Sequence, residues 1–213
     1  LFPYTTLFQS RDHSISAGVF SGCENLLSVE IPSSVETIGN NAFGDCRRLS
    51  NLEIPNSVKI IGRSAFSSCQ ALSTLTIPNS VETIGDKAFR DCTNLIVVYL
   101  GANIKKISDE AFLYCNKLAN FYCFSKNIDY VSATAFKYTN LQNVTLHVPN
   151  SAIDYYRSTD PWNKFGNIVA LTDDETGINK VMINNEVMDT YLLNGQRTAR
   201  KSLVFLPIHP PTA

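Results

Sequence analysis

The chain has 213 residues, with 18 Lys plus Arg against 19 Asp plus Glu, 44% hydrophobic and only 17% charged. That is enough apolar material for one or two globular domains, and a net charge of -1 leaves no basic footprint able to neutralise several phosphates. The longest apolar run, Leu95 to Leu100, is far short of the roughly 20 residues a membrane-spanning helix requires, so neither nucleic acid nor membrane insertion is expected.

The first ten residues, Leu1 to Ser10, read as the translation of a common sequencing-adapter oligonucleotide with Gln9 where Arg would normally stand. We set residues 1–10 aside as an artefact of that kind. No signal peptide is legible, and the native N-terminus with its export signal is expected to be missing.

From Ile15 onward the chain repeats. Phe20, Phe43, Phe66, Phe89 and Phe112 stand 23 residues apart, and Cys23, Cys46, Cys69, Cys92 and Cys115 each follow by three. Leu26, Leu49, Leu72, Leu95 and Leu118 keep the same period. Within one unit, L-x-L-x-I alternates with period two, which predicts a strand with Leu52 and Ile54 inward and Asn51 and Glu53 outward. Pro32, Pro55 and Pro78 lack an amide hydrogen and end that strand. A second short extended stretch, S-V-x-x-I, runs to Gly39, Gly62 and Gly85, where a tight turn is expected. The segment Asp86 to Cys92 then sets Ala88, Phe89 and Cys92 at spacings that fit the inner side of one helical turn.

One unit has no opposing layer, so the units must stack, with successive strands pairing in parallel and contacts confined to neighbouring rungs. A sixth, eroded copy carries Val131, Ala135, Phe136, Leu141, Val144 and Leu146. It gains a residue near Asn127 and loses one near Tyr138, so that Thr139 replaces the expected Cys.

The unit L-x-x-L-x-I-P-x-S-V-x-x-I-G-x-x-A-F-x-x-C, as in Leu49 to Cys69 and Leu72 to Cys92, resembles the BspA-like leucine-rich repeats found on surface proteins of anaerobic, Bacteroides-type bacteria. The resemblance covers Ile15 to Leu146. It implies a right-handed leucine-rich-repeat solenoid of 23-residue repeats, with parallel β-strands on the concave face, short strands and helical turns elsewhere, and a helical C-terminal cap. The rung from Leu95 departs from the pattern, with Leu100-Gly101 for I-P and Ile107-Ser108 for I-G, so its turns are expected to differ.

Downstream, His147 to Arg157 and Pro161 to Ile168 look like the segment that closes many such arrays. Ser151 with Asp154 suggests a helix N-cap box, and Asp160-Pro161 an N-cap followed by Pro at the first helical position. Ile153, Tyr156, Trp162 and Phe165 are expected to cover the open end. From Leu171 the composition becomes polar, and Thr190 to Arg197, with an Asn-Gly turn, resembles the start of a small C-terminal module of secreted Bacteroides-type proteins. That resemblance breaks after Thr198. The expected organisation is therefore 1–10 artefact, 11–146 solenoid of about six repeats, 147–170 cap, and 171–213 linker with a truncated β module or disordered tail.

The six cysteines fit no metal-ligand spacing, and three readings stand: buried reduced thiols filling an apolar slot, disulfides between adjacent rungs, or metal binding, the first being favoured. His13, His147 and His209 are scattered and suit solvated or cap positions. Asp173, Asp174 and Glu175 read as a solvated linker rather than a calcium loop, and Asn143-Val-Thr145 matches a glycosylation triplet that Thr145 satisfies merely as a strand residue. There is no Gly-rich phosphate loop and no Ser-His-Asp or Cys-His set, so the chain is expected to be no enzyme and to need no cofactor or metal.

What remains is surface. Outward strand positions form two columns: Glu30, Glu53, Thr76, Tyr99, Tyr122 and Thr145, and Ser28, Asn51, Thr74, Val97, Asn120 and Asn143. Tyr99 beside Tyr122, with Val97, Asn120, Thr76, Asn143 and Thr145 around them, makes a candidate ligand-binding patch, since rigid rings bury large area at small entropic cost; cross-strand packing that only stabilises the sheet is the competing account. The expected function is a secreted or cell-surface, adhesin-like protein binding a protein or glycan on a host or microbial surface. The alternative is a structural spacer or scaffold within a larger surface protein. Ligand identity and oligomeric state are not legible.

Overall fold

The structure, a computed structural model, describes residues 13–172. The expectations for residues 1–10, for Asp173 to Glu175, for the Asn194-Gly195 turn and for His209 lie outside it. The described chain is a coil of parallel strands. In chain order these are β1 (Ser14–Ile15), β2 (Ser28–Glu30), β3 (Thr37–Ile38), β4 (Asn51–Glu53), β5 (Ile60–Ile61), β6 (Thr74–Ile77), β7 (Thr83–Ile84), β8 (Val97–Leu100), β9 (Lys106–Ile107), β10 (Asn120–Cys123), β11 (Tyr130–Val131) and β12 (Thr145–Val148). A short helix α1 (Ile153–Ser158) and strand β13 (Asn167–Ala170) follow.

Each turn of the coil carries a longer strand, a corner, a two-residue strand and a ridge of turns; the corner is a proline after β2, β4, β6 and β12, Gly101 after β8 and Phe124 after β10. The two-residue strands make one six-stranded sheet, β1-β3-β5-β7-β9-β11. The longer strands make a two-stranded sheet, β2-β4, and a five-stranded sheet, β6-β8-β10-β12-β13. Registers follow the repeat, with Ile15↔Ile38 and Ile61↔Ile84 on one flank and Leu75↔Val98↔Phe121 on the other. This is the leucine-rich-repeat solenoid.

Between the flanks runs a ladder of stacked phenylalanines. Rings Phe20, Phe43, Phe66, Phe89, Phe112 and Phe136 lie 5.1 to 5.5 Å apart, nearly parallel between neighbours, and the central four are wholly buried. Truncating such a buried aromatic costs about 3–5 kcal/mol, and stacked pairs contribute about 0.5–1.5 kcal/mol beyond area burial.

The cysteines form a second ladder, and none of the six is in a disulfide. Each buried thiol of the repeat donates to the carbonyl of the preceding rung's phenylalanine: Cys46 to Phe20 O at 3.2 Å, Cys69 to Phe43 O at 3.3 Å, Cys92 to Phe66 O and Cys115 to Phe89 O at 3.4 Å. In the sixth rung the Thr139 hydroxyl takes the same place, donating to Phe112 O at 2.7 Å. Desolvation pushes the thiols up, Cys46 to about 12 and Cys123 to about 11, so the buried cysteines stay protonated and inert. Cys23, on the first rung, is exposed.

Of three local expectations two are corrected and one is extended. Ala88, Phe89 and Cys92 do share the inner side and are fully buried, but the segment is a string of tight turns rather than a helical turn. The amides of Lys87, Phe89 and Asp91 donate to the next rung, to Asp109 O, Ala111 O and Leu113 O, while those of Ala88, Arg90 and Cys92 bond three residues back. Lys87 and Asp91 sit at φ 59° and 58°, in the left-handed region that breaks a helix. Secondly, the tight turn expected at the I-G glycine forms, with the Ala65 amide donating to Gly62 O, and close approach also demands glycine there: a Cβ on Gly62 would lie 2.8 Å from the Gly39 carbonyl carbon.

Thirdly, neither expected helix cap forms. Helix α1 follows a 3-10 turn at Asn150–Ala152 and has Ala152 at its N-cap, with no side-chain cap bond. Asp160 instead pairs with Lys164 at 2.6 Å. Tyr156, Trp162 and Phe165 are buried and Ile153 partly so; Trp162 lies against Phe121 and Phe136, at centroid distances of 6.0 and 5.5 Å. The Tyr156 hydroxyl donates to Ser125 O at 2.9 Å, tying α1 to the fifth rung.

Candidate functional site

On the five-stranded sheet, inward residues alternate with an outward set because the side-chain period of a strand is two. Leu75, Val98, Phe121 and Leu146 point into the core and are buried. The parallel register then aligns the outward residues in two columns. One runs Thr76↔Tyr99↔Tyr122↔His147, and the other Thr74↔Val97↔Asn120↔Thr145. Tyr99, Tyr122, Val97, Asn120, Thr76 and Thr145 are all half-buried, and they do come together on one face.

The sixth rung departs from the expected columns. Thr145 pairs with Asn120 rather than Tyr122, because the interval between equivalent residues is 25 here instead of 23. Asn143 is not on the sheet; it is exposed at the end of a 3-10 turn, Leu141–Asn143. The place beside Tyr122 belongs to His147, for which the sequence predicts a solvated or cap position. A signal for it was present: Leu146-His147-Val148-Pro149 reproduces Leu75-Thr76-Ile77-Pro78, so the proline fixes the strand end and sets the register.

Three aromatic rings are thereby stacked. Tyr99 and Tyr122 lie 4.8 Å apart at 18°, and Tyr122 and His147 4.1 Å apart at 20°. The His147 Nε2–H donates to Asn120 Oδ1 at 3.2 Å, locking the two columns together. The face thus offers ring edges, an amide and hydroxyls in a fixed array, with no carboxylate inside it. Further toward the N-terminus the first column continues in Glu30 and Glu53, directly paired in register and both exposed.

The charges of the opposite flank behave differently. Glu36 and Lys59 lie 2.8 Å apart, as do Glu82 and Lys105. The Lys59 ammonium holds the Glu36 carboxyl below its ordinary value. These residues line a shallow groove of about 940 Å³, with Lys126 and Asp129 at its far end; the two ion pairs neutralise its centre. Among the described residues no group of three His, Cys, Asp or Glu is placed to hold a metal ion, and no helix is long and apolar enough to cross a membrane.

Residues 13–142 match the model of the BspA type leucine rich repeat region, in six copies. No curated protein matches the chain. Among solved structures, the fold is similar to the leucine rich repeat protein of T. pallidum, at 22% identity over 80% of this chain and 77% of that one, with a TM-score of 0.54. It is also similar to the pneumococcal vaccine antigen PcpA, at 21% identity over 76% of this chain and a TM-score of 0.61, this chain spanning 42% of that structure. A leucine-rich repeat protein from Bacteroides ovatus aligns at 24% identity over 74% of this chain and 55% of that one, with a TM-score of 0.42.

Proposed function

Because the chain belongs to the BspA-type leucine-rich repeat family, we propose that it is a non-catalytic, adhesin-like binding protein of the cell surface or secreted space. It recognises a protein or glycan through the outward face of the longer strands. The carrying observation is the half-buried Tyr99–Tyr122–His147 stack, with Asn120 hydrogen-bonded across it. Rigid rings with few rotatable bonds lose little entropy when they bury area against a partner, and a solenoid sheet presents them in a long, regular row. Thr76, Val97 and Thr145 flank the rings and set the shape of the contact.

The proposal is tested by retention on immobilised extracellular-matrix proteins and bacterial glycans. The wild type is retained and the Tyr99→Ala plus Tyr122→Ala variant is not; equal retention of the two removes the face from recognition. A second reading, a structural spacer within a larger surface protein, draws on the ring stack itself, since rings packed on one another already satisfy each other's faces. It predicts that the double variant loses stability and keeps every binding partner.

A further inference from the structure

The ridge of turns carries, in every rung, a residue held in the left-handed region two positions after the phenylalanine. In the first four rungs it is Gly22, Asp45, Ser68 and Asp91, at φ between 58° and 75°. Glycine and aspartate adopt that conformation at little cost. In the last two rungs it is Tyr114 and Tyr138, both at φ 59°, although a bulky side chain is disfavoured there. Their rings stack at 5.1 Å outside the core, and Tyr138 is 61% exposed. The left-handed backbone belongs to the ridge itself, being shared by Ser64, Lys87 and Glu110 two positions before the phenylalanine; what sets the last two rungs apart is the aromatic pair, half-buried at Tyr114 and exposed at Tyr138.

Lys137 sits between this pair and a cleft. Its Nζ lies 4.9 Å from the centre of the Tyr138 ring, and no carboxylate among the described residues pairs with it. The cleft, of about 420 Å³, is lined by Lys137, Asn140, Leu141, Gln142, Pro161 and Lys164, among others. Lys164 is committed to Asp160 at 2.6 Å, and Gln142 Nε2 donates to Lys164 O at 2.9 Å. The Lys137 ammonium and the Asn140 amide are the polar groups left for a ligand, and buried Leu141 and Pro161 supply an apolar wall.

We propose that this cleft, at the junction of the sixth rung and the C-terminal segment, is a second recognition site that takes a carboxylated sugar residue. The carboxylate pairs with Lys137, ring hydroxyls bond the Asn140 amide, and the apolar face of the sugar lies on Leu141 and Pro161. The volume, about 420 Å³, lies within the range of small-ligand sites. An acidic peptide fits less well, because no strand residue lines the cleft and an extended backbone finds no row of partners there. The site is remote in kind from the longer-strand face and does not depend on it.

The test is calorimetric titration of the full chain with a glucuronic-acid-terminated disaccharide, its glucose-terminated counterpart and a tetraglutamate peptide. The acidic disaccharide binds at least about tenfold more tightly than either of the others. Lys137→Gln removes about tenfold of that affinity, and Asn140→Ala weakens binding without lowering the melting temperature, since Asn140 is exposed and its side chain caps nothing. The Tyr99→Ala plus Tyr122→Ala variant binds the sugar as the wild type does. Equal affinity for the acidic and neutral sugars, tighter binding of the peptide, undiminished affinity in Lys137→Gln, or no binding at millimolar sugar would each overturn the proposal.

Discussion

The two flanks of the coil are built from the same repeat yet finish their surfaces in opposite ways. The two-residue strands run unbroken through six rungs, and the charges beside them pair from rung to rung, Glu36 with Lys59 and Glu82 with Lys105. The longer strands divide between β4 and β6; they leave Glu30 beside Glu53 on one side of the break and gather Tyr99, Tyr122 and His147 on the other. On the first flank opposite charges meet from rung to rung, which avoids cross-strand repulsion without adding much stability. A flank that sets like charges side by side and exposes ring edges forgoes some cross-strand stabilisation, which makes it the flank suited to a partner.

The largest expected effect strikes what both flanks share. Phe66→Ala lowers stability by about 3–5 kcal/mol in denaturant melts; a loss under about 1 kcal/mol breaks the picture of a common stacked core. Next comes the thiol ladder. Cys69→Ala loses about 1–2 kcal/mol by removing both volume and the bond to Phe43 O, whereas Cys69→Thr, which copies Thr139, loses less.

The same thiols set a pH limit. Their folded values lie above the ordinary 9.0, so unfolded thiols ionise first. Stability is fully present below about pH 9 and falls as pH rises from there toward the folded values. Denaturant midpoints in reductant, compared at pH 8 and pH 10, check the sign. At neutral pH a thiol reagent labels Cys23 alone, and the other five only after unfolding.

Smaller still, Tyr99→Ala plus Tyr122→Ala costs about 1 kcal/mol or less, although binding is lost. A larger stability cost would move the ring stack from the recognising to the supporting role. Lys59→Gln, on the self-paired flank, is expected to leave the melting temperature unchanged because its ion pair is solvent-exposed.

Legibility in the sequence followed from whether a position depends on its own rung or on its neighbour. The phenylalanine, cysteine and leucine columns were readable at once, since a fixed period of 23 has one stacking solution. Tyr99 beside Tyr122 was readable for the same reason. His147 was not, because two extra residues enter the sixth rung and only the Val148-Pro149 strand end restores the count. The ridge was misread as helical because Ala88, Phe89 and Cys92 carry a helix-like spacing, while alternate amides leave the rung for the next one. Ser151 reads as a cap on local pattern, yet α1 starts two residues later, where Tyr156 can bury itself and reach Ser125 O.

By itself the sequence determined the solenoid, the composition of its core and the flank on which aromatic residues collect, because each of these is a property of one repeat multiplied. Tertiary structure alone decided what touches across rungs: the thiol-to-carbonyl bonds, the third ring of the stack, the Tyr114–Tyr138 pair. The thiol bonds depend on how close one rung's carbonyl stands to the next rung's side chain, and the third ring on a slip of register confined to the sixth turn; both are distances between turns, which a pattern within one turn does not carry.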